Sequence, residues 1–232
     1  MNGSSIVAID ELELYFAPRP WSFADQRRVE IDAYFEARRR KTPELWNGRV
    51  LLLSRCVLSE RKLSGTFFET DFASFLAWKE WDCPDRTVIN CFAMGALCAA
   101  DGAFLVGVMG AHTANAGRIY FPAGTPDPDD IRGSKVDLEQ NVVREVAEET
   151  GLTPNDFHQR VGWHAVVEGQ RIALFKILDV GAAAVDLRAR ILGHLARERT
   201  PEFSDIRILR GRGDLDPKMP VFVTAFLNRA WS

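Results

Sequence analysis

Apolar and polar residues alternate along most of this chain with the short period of strands, and five longer stretches carry the 3.6-residue period of helices. Ile6 to Phe16 reads as a strand, and Ser22 stands where it can cap a helix running to about Arg40. Arg38, Arg39, Arg40 and Lys41 close that helix, where cations complement its dipole, and a solvated helix end outweighs a phosphate-binding reading. Pro43 breaks the pattern and Asn47-Gly48 signals a turn before two strands, Arg49 to Leu58 and Leu63 to Glu69. Asp71 caps a short helix through Trp78 with Phe72, Phe75 and Leu76 on its apolar side.

A second series of elements begins near residue 87. Val88 to Ala99 is apolar, Asp101-Gly102 makes a hairpin turn, and Ala103 to Met109 returns. A loop from Gly110 to Gly117 leads into a strand, Arg118 to Phe121. Further on, Phe157 to Val167 and Arg171 to Leu178 flank a hairpin at Glu168-Gly169. Val185 to Arg197 is a helix, Ile206 to Leu209 a strand, and Met219 to Trp231 a closing helix.

Between these lies the stretch that carries chemistry, Arg144-Glu145-Val146-Ala147-Glu148-Glu149-Thr150-Gly151-Leu152. At ~100° per residue, Glu145, Glu148 and Glu149 share one arc of a helix, beside Val142, Val143, Val146, Ala147 and Thr150. Like charges at this spacing repel by a few tenths of a kcal/mol per pair, ~0.3. An acidic surface would interleave Lys or Arg, and this one offers only Arg144. Carboxylates clustered beside an apolar stripe suit a hard divalent cation, which takes oxygen ligands and neutralises the repulsion.

R-E-V-x-E-E-x-G-L resembles the second half of the Nudix box, G-x5-E-x7-R-E-U-x-E-E-x-G-U with U aliphatic, and Tyr120-Phe121-Pro122-Ala123-Gly124 resembles the strand and turn that open it. The first half departs from that pattern. Beyond the five residues that follow Gly124 stands Asp130, where the family has Glu, and thirteen residues rather than seven then precede Arg144. Counting from Gly133 instead reaches Glu139, with only four residues before Arg144. Gly124 is the preferred box glycine, with about six residues looped out, and Asp137 is the expected helix cap. The segment between Asp130 and Asp137 is therefore expected to be a surface loop that tunes substrate choice, Arg132 or Lys135 reaching a phosphate.

The resemblance implies an α/β/α sandwich with a mixed sheet over roughly residues 88 to 230, and the chain divides into an N-terminal α+β extension (1–86) and the Nudix-like domain (87–232). It also implies Mg²⁺, with Mn²⁺ as an alternative, held by Glu145, Glu148 and Glu149. Arg144 would orient a glutamate, and Gly124 would let the backbone turn tightly beside a diphosphate. Arg144, Glu145 and Glu148 are the catalytic candidates. The expected substrate is a nucleoside diphosphate linked to a second group, hydrolysed by water attacking phosphorus.

The general base stays open between box glutamates and Glu168, Glu202 or Asp205, for each of which a turn or capping role weighs more heavily. No coenzyme A motif precedes the box. Thr42-Pro43-Glu44-Leu45-Trp46-Asn47-Gly48, with Thr70-Asp71-Phe72, faintly resembles the UDP-sugar-cleaving branch, so a nucleotide-sugar is preferred. The other class of function kept in view is a Nudix-like sensor that binds a nucleotide without cleaving it.

Composition agrees with an ordinary globular chain: 232 residues, 47% hydrophobic, 26% charged. A net charge of −3 gives no broad reason to bind nucleic acid. No apolar run nears the ~18 residues of a membrane span and the N-terminus lacks leader features, so a cytoplasmic protein is expected, its oligomeric state open and a homodimer kept in view. Cys56, Cys83, Cys91 and Cys98 are scattered and expected as free thiols. His112, His158, His164 and His194 have no metal-ligand spacing.

Overall fold

The computed structural model describes residues 5–232, and every statement below concerns those residues. In chain order the elements are β1 (Ser5–Ile9), β2 (Glu11–Phe16), α1 (Ser22–Gln26), α2 (Arg28–Arg39), β3 (Arg49–Ser59), β4 (Lys62–Asp71) and α3 (Phe72–Glu80). The second series is β5 (Val88–Ala99), β6 (Phe104–Met109), β7 (Ile119–Tyr120), β8 (Ala123–Gly124), β9 (Ile131–Arg132), β10 (Lys135–Val136) and α4 (Leu138–Thr150). It ends with β11 (Phe157–Gln159), β12 (Trp163–Glu168), β13 (Arg171–Val180), α5 (Ala184–Leu195), β14 (Phe203–Leu209) and α6 (Val221–Ala230).

The strands join one mixed sheet whose main path runs β1-β12-β13-β5-β3-β4-β2-β10-β9. The long parallel pair β13–β5 lies at its centre, from Arg171 opposite Asn90 to Val180 opposite Ala99. Both strands are buried almost end to end, as parallel strands covered on two faces must be. Side chains alternate across a strand, so Phe92 and Gly95 of β5 point to opposite faces. Gly95 lies under Val142 and Val146 of α4, whereas Phe92 meets Phe222 of α6. Helices therefore cover both faces, and the expected α/β architecture is the one observed.

On the α6 face the core is aromatic. Phe226 stacks on Phe175 with centroids 4.2 Å apart, and Phe104 and Phe121 meet it edge-on. Each such ring contributes about 2 kcal/mol by burial. A second cluster lies under α1, α2 and α3, around Trp21, Phe68 and Trp78. Its indole N–H groups are not left orphaned: Trp21 Nε1 donates to Asp85 Oδ2 at 2.9 Å and Trp78 Nε1 to the Asp85 carbonyl at 3.1 Å.

Several expectations need correction. Ile6 to Phe16 is two strands, which turn at Asp10 and pair with different neighbours: β1 with β12, β2 with β4 in parallel. The Asp10 N–H donates to the Arg61 carbonyl, and its carboxylate accepts two bonds from the Arg61 guanidinium. Local alternation continues through such a corner, so only the distant pairing reveals it. The first helix begins at Ser22, with Trp21 at the cap position and no side-chain cap, and it breaks at Arg27. Phe157 to Val167 is likewise interrupted where Gly162 takes a φ of 76°. Asp71 does cap α3, accepting from the Ser74 N–H at 2.9 Å.

The extra segment is not a free loop. Residues 131–136 fold into the β9–β10 hairpin around Gly133, whose φ of 63° a glycine accommodates without strain. Lys135 of β10 pairs with Tyr15 of β2, and the Phe16 N–H donates to the Ser134 carbonyl at 2.8 Å. Val136 is buried in the core, while Arg132, Gly133, Ser134 and Lys135 stay exposed. Pairings also run across residues 86 and 87, through β1–β12 and through β3–β5 at Leu53–Ile89 and Ser54–Val88. All four cysteines are free, and no helix among the described residues is long and apolar enough to cross a membrane.

Gly95 supplies a test of the packing of α4. A Cβ there would lie 2.5 Å from Val146 Cγ2 and 3.0 Å from Leu178 Cδ1, both in the core. Gly95→Ala should therefore lift the helix and cost about 1–3 kcal/mol. The check is the urea midpoint, and an unchanged midpoint would show that α4 has room to spare.

Candidate active site

Helix α4 starts at Asp137, whose carboxylate accepts from the Gln140 N–H at 3.0 Å, and stops at Gly151 in the left-handed region with φ 71°. Leu138, Val142 and Val146 recur every four residues and are buried on β5. That anchoring aims the adjacent arc, with Glu145 and Glu149, at β8, which runs beside β5 with Gly124 opposite Ala93. At the far end His194 of α5 holds the helix, its Nε2 lying 3.2 Å from the Glu148 carbonyl.

The structure brings Gly124, Glu145 and Glu149 together. A Cβ on Gly124 would fall 2.0 Å from Glu145 Oε1, so the Glu145 carboxylate occupies the space a side chain would need. Gly124 has no left-handed φ; close approach of Glu145, rather than a tight turn, demands glycine there. One residue earlier, the Ala123 N–H donates to Glu149 Oε2 at 3.0 Å. The other oxygen, Oε1, is buried without a donor. Glu148 stands in solvent with its side chain 58% exposed. Among the described residues no three of these groups converge at metal-ligating distance, so the glutamates line the site without forming a closed cage.

A fourth carboxylate, Glu202, faces the cluster from the segment entering β14. Its backbone carbonyl is fixed by the Gly110 N–H at 2.7 Å, and its charge acts on both Glu145 and Glu149. Of the three acids outside the box, Glu168 pairs with Arg171 and Asp205 with Arg188, whereas Glu202 is exposed beside the box glutamates. Turn position was the only sequence signal for it, and Thr200-Pro201 shares that signal with many loops.

Arg144 holds the other side of the site. Its guanidinium lies 2.8 Å from Glu145, 3.5 Å from Glu148, 3.2 Å from Asp130 and 3.4 Å from Asp127. Asp130 is 1% exposed. It also accepts from the Asp127 N–H and, at 2.8 Å, from Asn141 Nδ2. Asp130 thus reaches Arg144 across the extra hairpin. Glu139, the rival first acid of the box, points instead to Lys176, 2.6 Å away. Asp127 and Asn141 were not singled out from sequence; Asn141 lies one helical turn before Arg144, and that spacing was its only signal.

Electrostatics follow from burial. Desolvation, with Glu148, Glu202 and Asp130 adding to it and Arg144 opposing, pushes Glu145 up to about 7. Glu149 is raised well above the usual carboxylate range by burial first, then by Glu202 and Glu145. Burial also raises Asp130. Tyr120, whose hydroxyl accepts from Asn115 Nδ2 at 3.1 Å, is raised by burial and by the charges of Glu149 and Glu202. A buried oxygen without a donor, beside two further acids, is a place where a hard cation would relieve repulsion.

No family model and no curated protein matches the chain. Among solved structures it is similar to the MutT protein from Methanosarcina mazei Go1, at 20% identity over 61% of this chain and 92% of that one, with a TM-score of 0.41. It is similar also to RenU, a Nudix hydrolase from M. smegmatis, at 16% identity over 60% of this chain and 80% of that one, TM-score 0.39. NrtR from Shewanella oneidensis shares 18% identity over 61% of each chain, TM-score 0.40. At these scores the likenesses bear no functional weight, which falls on the box and its geometry.

Two outcomes follow for the site. Gly124→Ala should displace only the flexible end of Glu145 and leave the melting temperature nearly unchanged; a collapse of the fold would contradict this. The raised Glu145 means that, between its ordinary 4.5 and about 7, the folded chain holds a proton that the unfolded chain releases. Its contribution to stability is full below that window and is lost as pH rises through it. Without metal, the urea midpoint of Glu145→Gln should therefore gain on wild type from pH 5 to pH 8, and a constant difference would refute the assignment.

Proposed function

We propose that this chain is a divalent-metal-dependent hydrolase of the Nudix type that cleaves the diphosphate bond of a nucleoside diphosphate linked to another group. A nucleotide-sugar is the preferred class and Mg²⁺ the expected ion. The observation that carries this reading is the buried Glu149 carboxylate, with one oxygen lacking a donor, beside Glu145 and Glu202 and next to the open backbone of Gly124. Glu145, Glu148 and Glu149 would hold the cation. When bound, it supplies charge neutralisation and Lewis acidity at phosphate oxygens.

The chain's own groups do the rest. Arg144 ties Glu145 to the turn carrying Asp127 and Asp130, so the carboxylate is positioned before any ligand arrives. Glu202, exposed to solvent and free of a cationic partner among the described residues, is the group to accept a proton from the attacking water. A nucleotide-binding sensor has no need of the three box carboxylates Glu145, Glu148 and Glu149.

Glu148→Gln and Glu149→Gln should each lower kcat by about 100-fold or more, roughly 3 kcal/mol of barrier, with the metal-free melting temperature unchanged or raised. Turnover of diphosphate compounds is measured with and without Mg²⁺, and full activity in both variants would remove the metal-site reading. Hydrolysis in ¹⁸O water should place the label in a phosphate-containing product. Label only on a sugar C1 hydroxyl would show cleavage of a glycosidic bond instead.

A further inference from the structure

The phenol of Tyr120 is buried, 9% exposed, yet it ends in a polar group beside the acids of the site. Its place is fixed by β6. Phe104 of that strand points to the α6 face, where it meets Phe226. Gly107, three residues on, therefore points to the α4 face, and Tyr120 of β7, paired with Gly107, shares that face. The same glycine admits the neighbouring acid. A Cβ on Gly107 would fall 2.2 Å from Phe203 Cδ1, so the Phe203 ring fills the space a side chain would take. Phe203 is fully buried, and Glu202 directly precedes it. From α4, Glu149 accepts from the N–H of Ala123, three residues after Tyr120. The phenol thus stands beside both the box helix and the Glu202 segment, and the charges of both acids reach it.

The hydroxyl has one bond left to give. Asn115 Nδ2 donates to it at 3.1 Å, which occupies a lone pair and leaves the phenol's own proton free. Burial first, then the charges of Glu149 and Glu202, hold that proton well above the ordinary tyrosine range, so at neutral pH the group is a donor only. Of the two acids, Glu149 already accepts from Ala123 and is buried. Glu202 is exposed and has no cationic partner among the described residues. An unheld glutamate samples several rotamers, whereas a base must face the water it deprotonates.

We propose that Tyr120 is a positioning residue for Glu202: its hydroxyl, steadied by Asn115, donates to the Glu202 carboxylate and aims it at the attacking water. The inference rests on the hydrolase reading above and adds what holds the proposed base. Gly107 and Phe203 bring the segment to the phenol, and the Gly110 N–H fixes its backbone through the Glu202 carbonyl. The hydroxyl then orients the side chain.

The test compares wild type with Tyr120→Phe, which keeps the ring and removes only the donor, with Glu202→Gln and with the double variant. On a cleavable diphosphate in Mg²⁺, Tyr120→Phe should lower kcat ~10-fold, part of the ~100-fold or more that a positioned base supplies. KM and the melting temperature should be nearly unchanged. The double variant should be slower than Glu202→Gln by no more than about two-fold, because the hydroxyl acts through that carboxylate. Independently of turnover, the ¹³C resonance of the Glu202 carboxyl, assigned through Glu202→Gln in metal-free protein, should move in Tyr120→Phe at fixed pH. An unchanged kcat, a further ~10-fold loss in the double variant, a lost fold, or a Glu202 resonance that stays in place would each overturn the proposal. If wild type turns over no diphosphate, the hydrolase reading alone fails, and the resonance still decides whether Tyr120 holds Glu202.

Discussion

The interaction on which the rest of the site depends is that of Arg144 with the carboxylates around it. One guanidinium faces Asp127, Asp130, Glu145 and Glu148, and none of these is on β5, the strand that anchors the helix. Two belong to the turn before the extra hairpin and two to the helix after it. The cation therefore fixes the glycine loop against α4 whatever chain length lies between them. Removing one acid would leave the others facing a cation already desolvated, and removing Arg144 would leave Asp130 buried and unpaired by charge. That asymmetry makes the network a positioning device more than a source of stability.

Two missing side chains complete the arrangement. Gly95 lets Val142 and Val146 sit directly on the sheet, and Gly124 lets the Glu145 carboxylate lie against β8. Neither glycine has a left-handed φ. Both are required by contact across space, so their substitutions should separate: the first strikes core methyl groups that cannot yield, the second a carboxylate that can swing away.

How much of this was legible in the sequence follows from which interactions are local. Helix α4, its cap at Asp137 and its stop at Gly151 were readable, because spacing and capping act within a few residues. The strand-turn-strand units around Asp101-Gly102 and Glu168-Gly169 were readable for the same reason. The corner at Asp10 was not, since it is set by β12, β4 and Arg61 far along the chain. Nor was the position of Glu202, rather than Glu168 or Asp205, beside the box glutamates. All three sit in turn-like sequence, and only packing shows that two of them are spent on arginines. The extra residues 131–136 read as polar surface because four of the six are. The buried Val136 and the partner strand β2 were the unreadable part.

The hairpin also explains how the carboxylate-bearing helix keeps its place beside Gly124 despite the added length between them. Added residues between the Gly124 loop and the helix cost little in chain entropy, about 0.6 kcal/mol per doubling of length, but a floppy stretch would let the two drift apart. Here the added residues pair with each other and then with β2, so the insertion becomes a strut between the box and the N-terminal segment. Asp130 and Asp137 close its base, the Asp137 N–H donating to the Asp130 carbonyl at 2.9 Å. The acid that contacts Arg144 and the residue that caps α4 are thus held together across the hairpin they bracket. Added length has in this way been turned into a second connection between the helix that carries the carboxylates and the strands of the N-terminal segment.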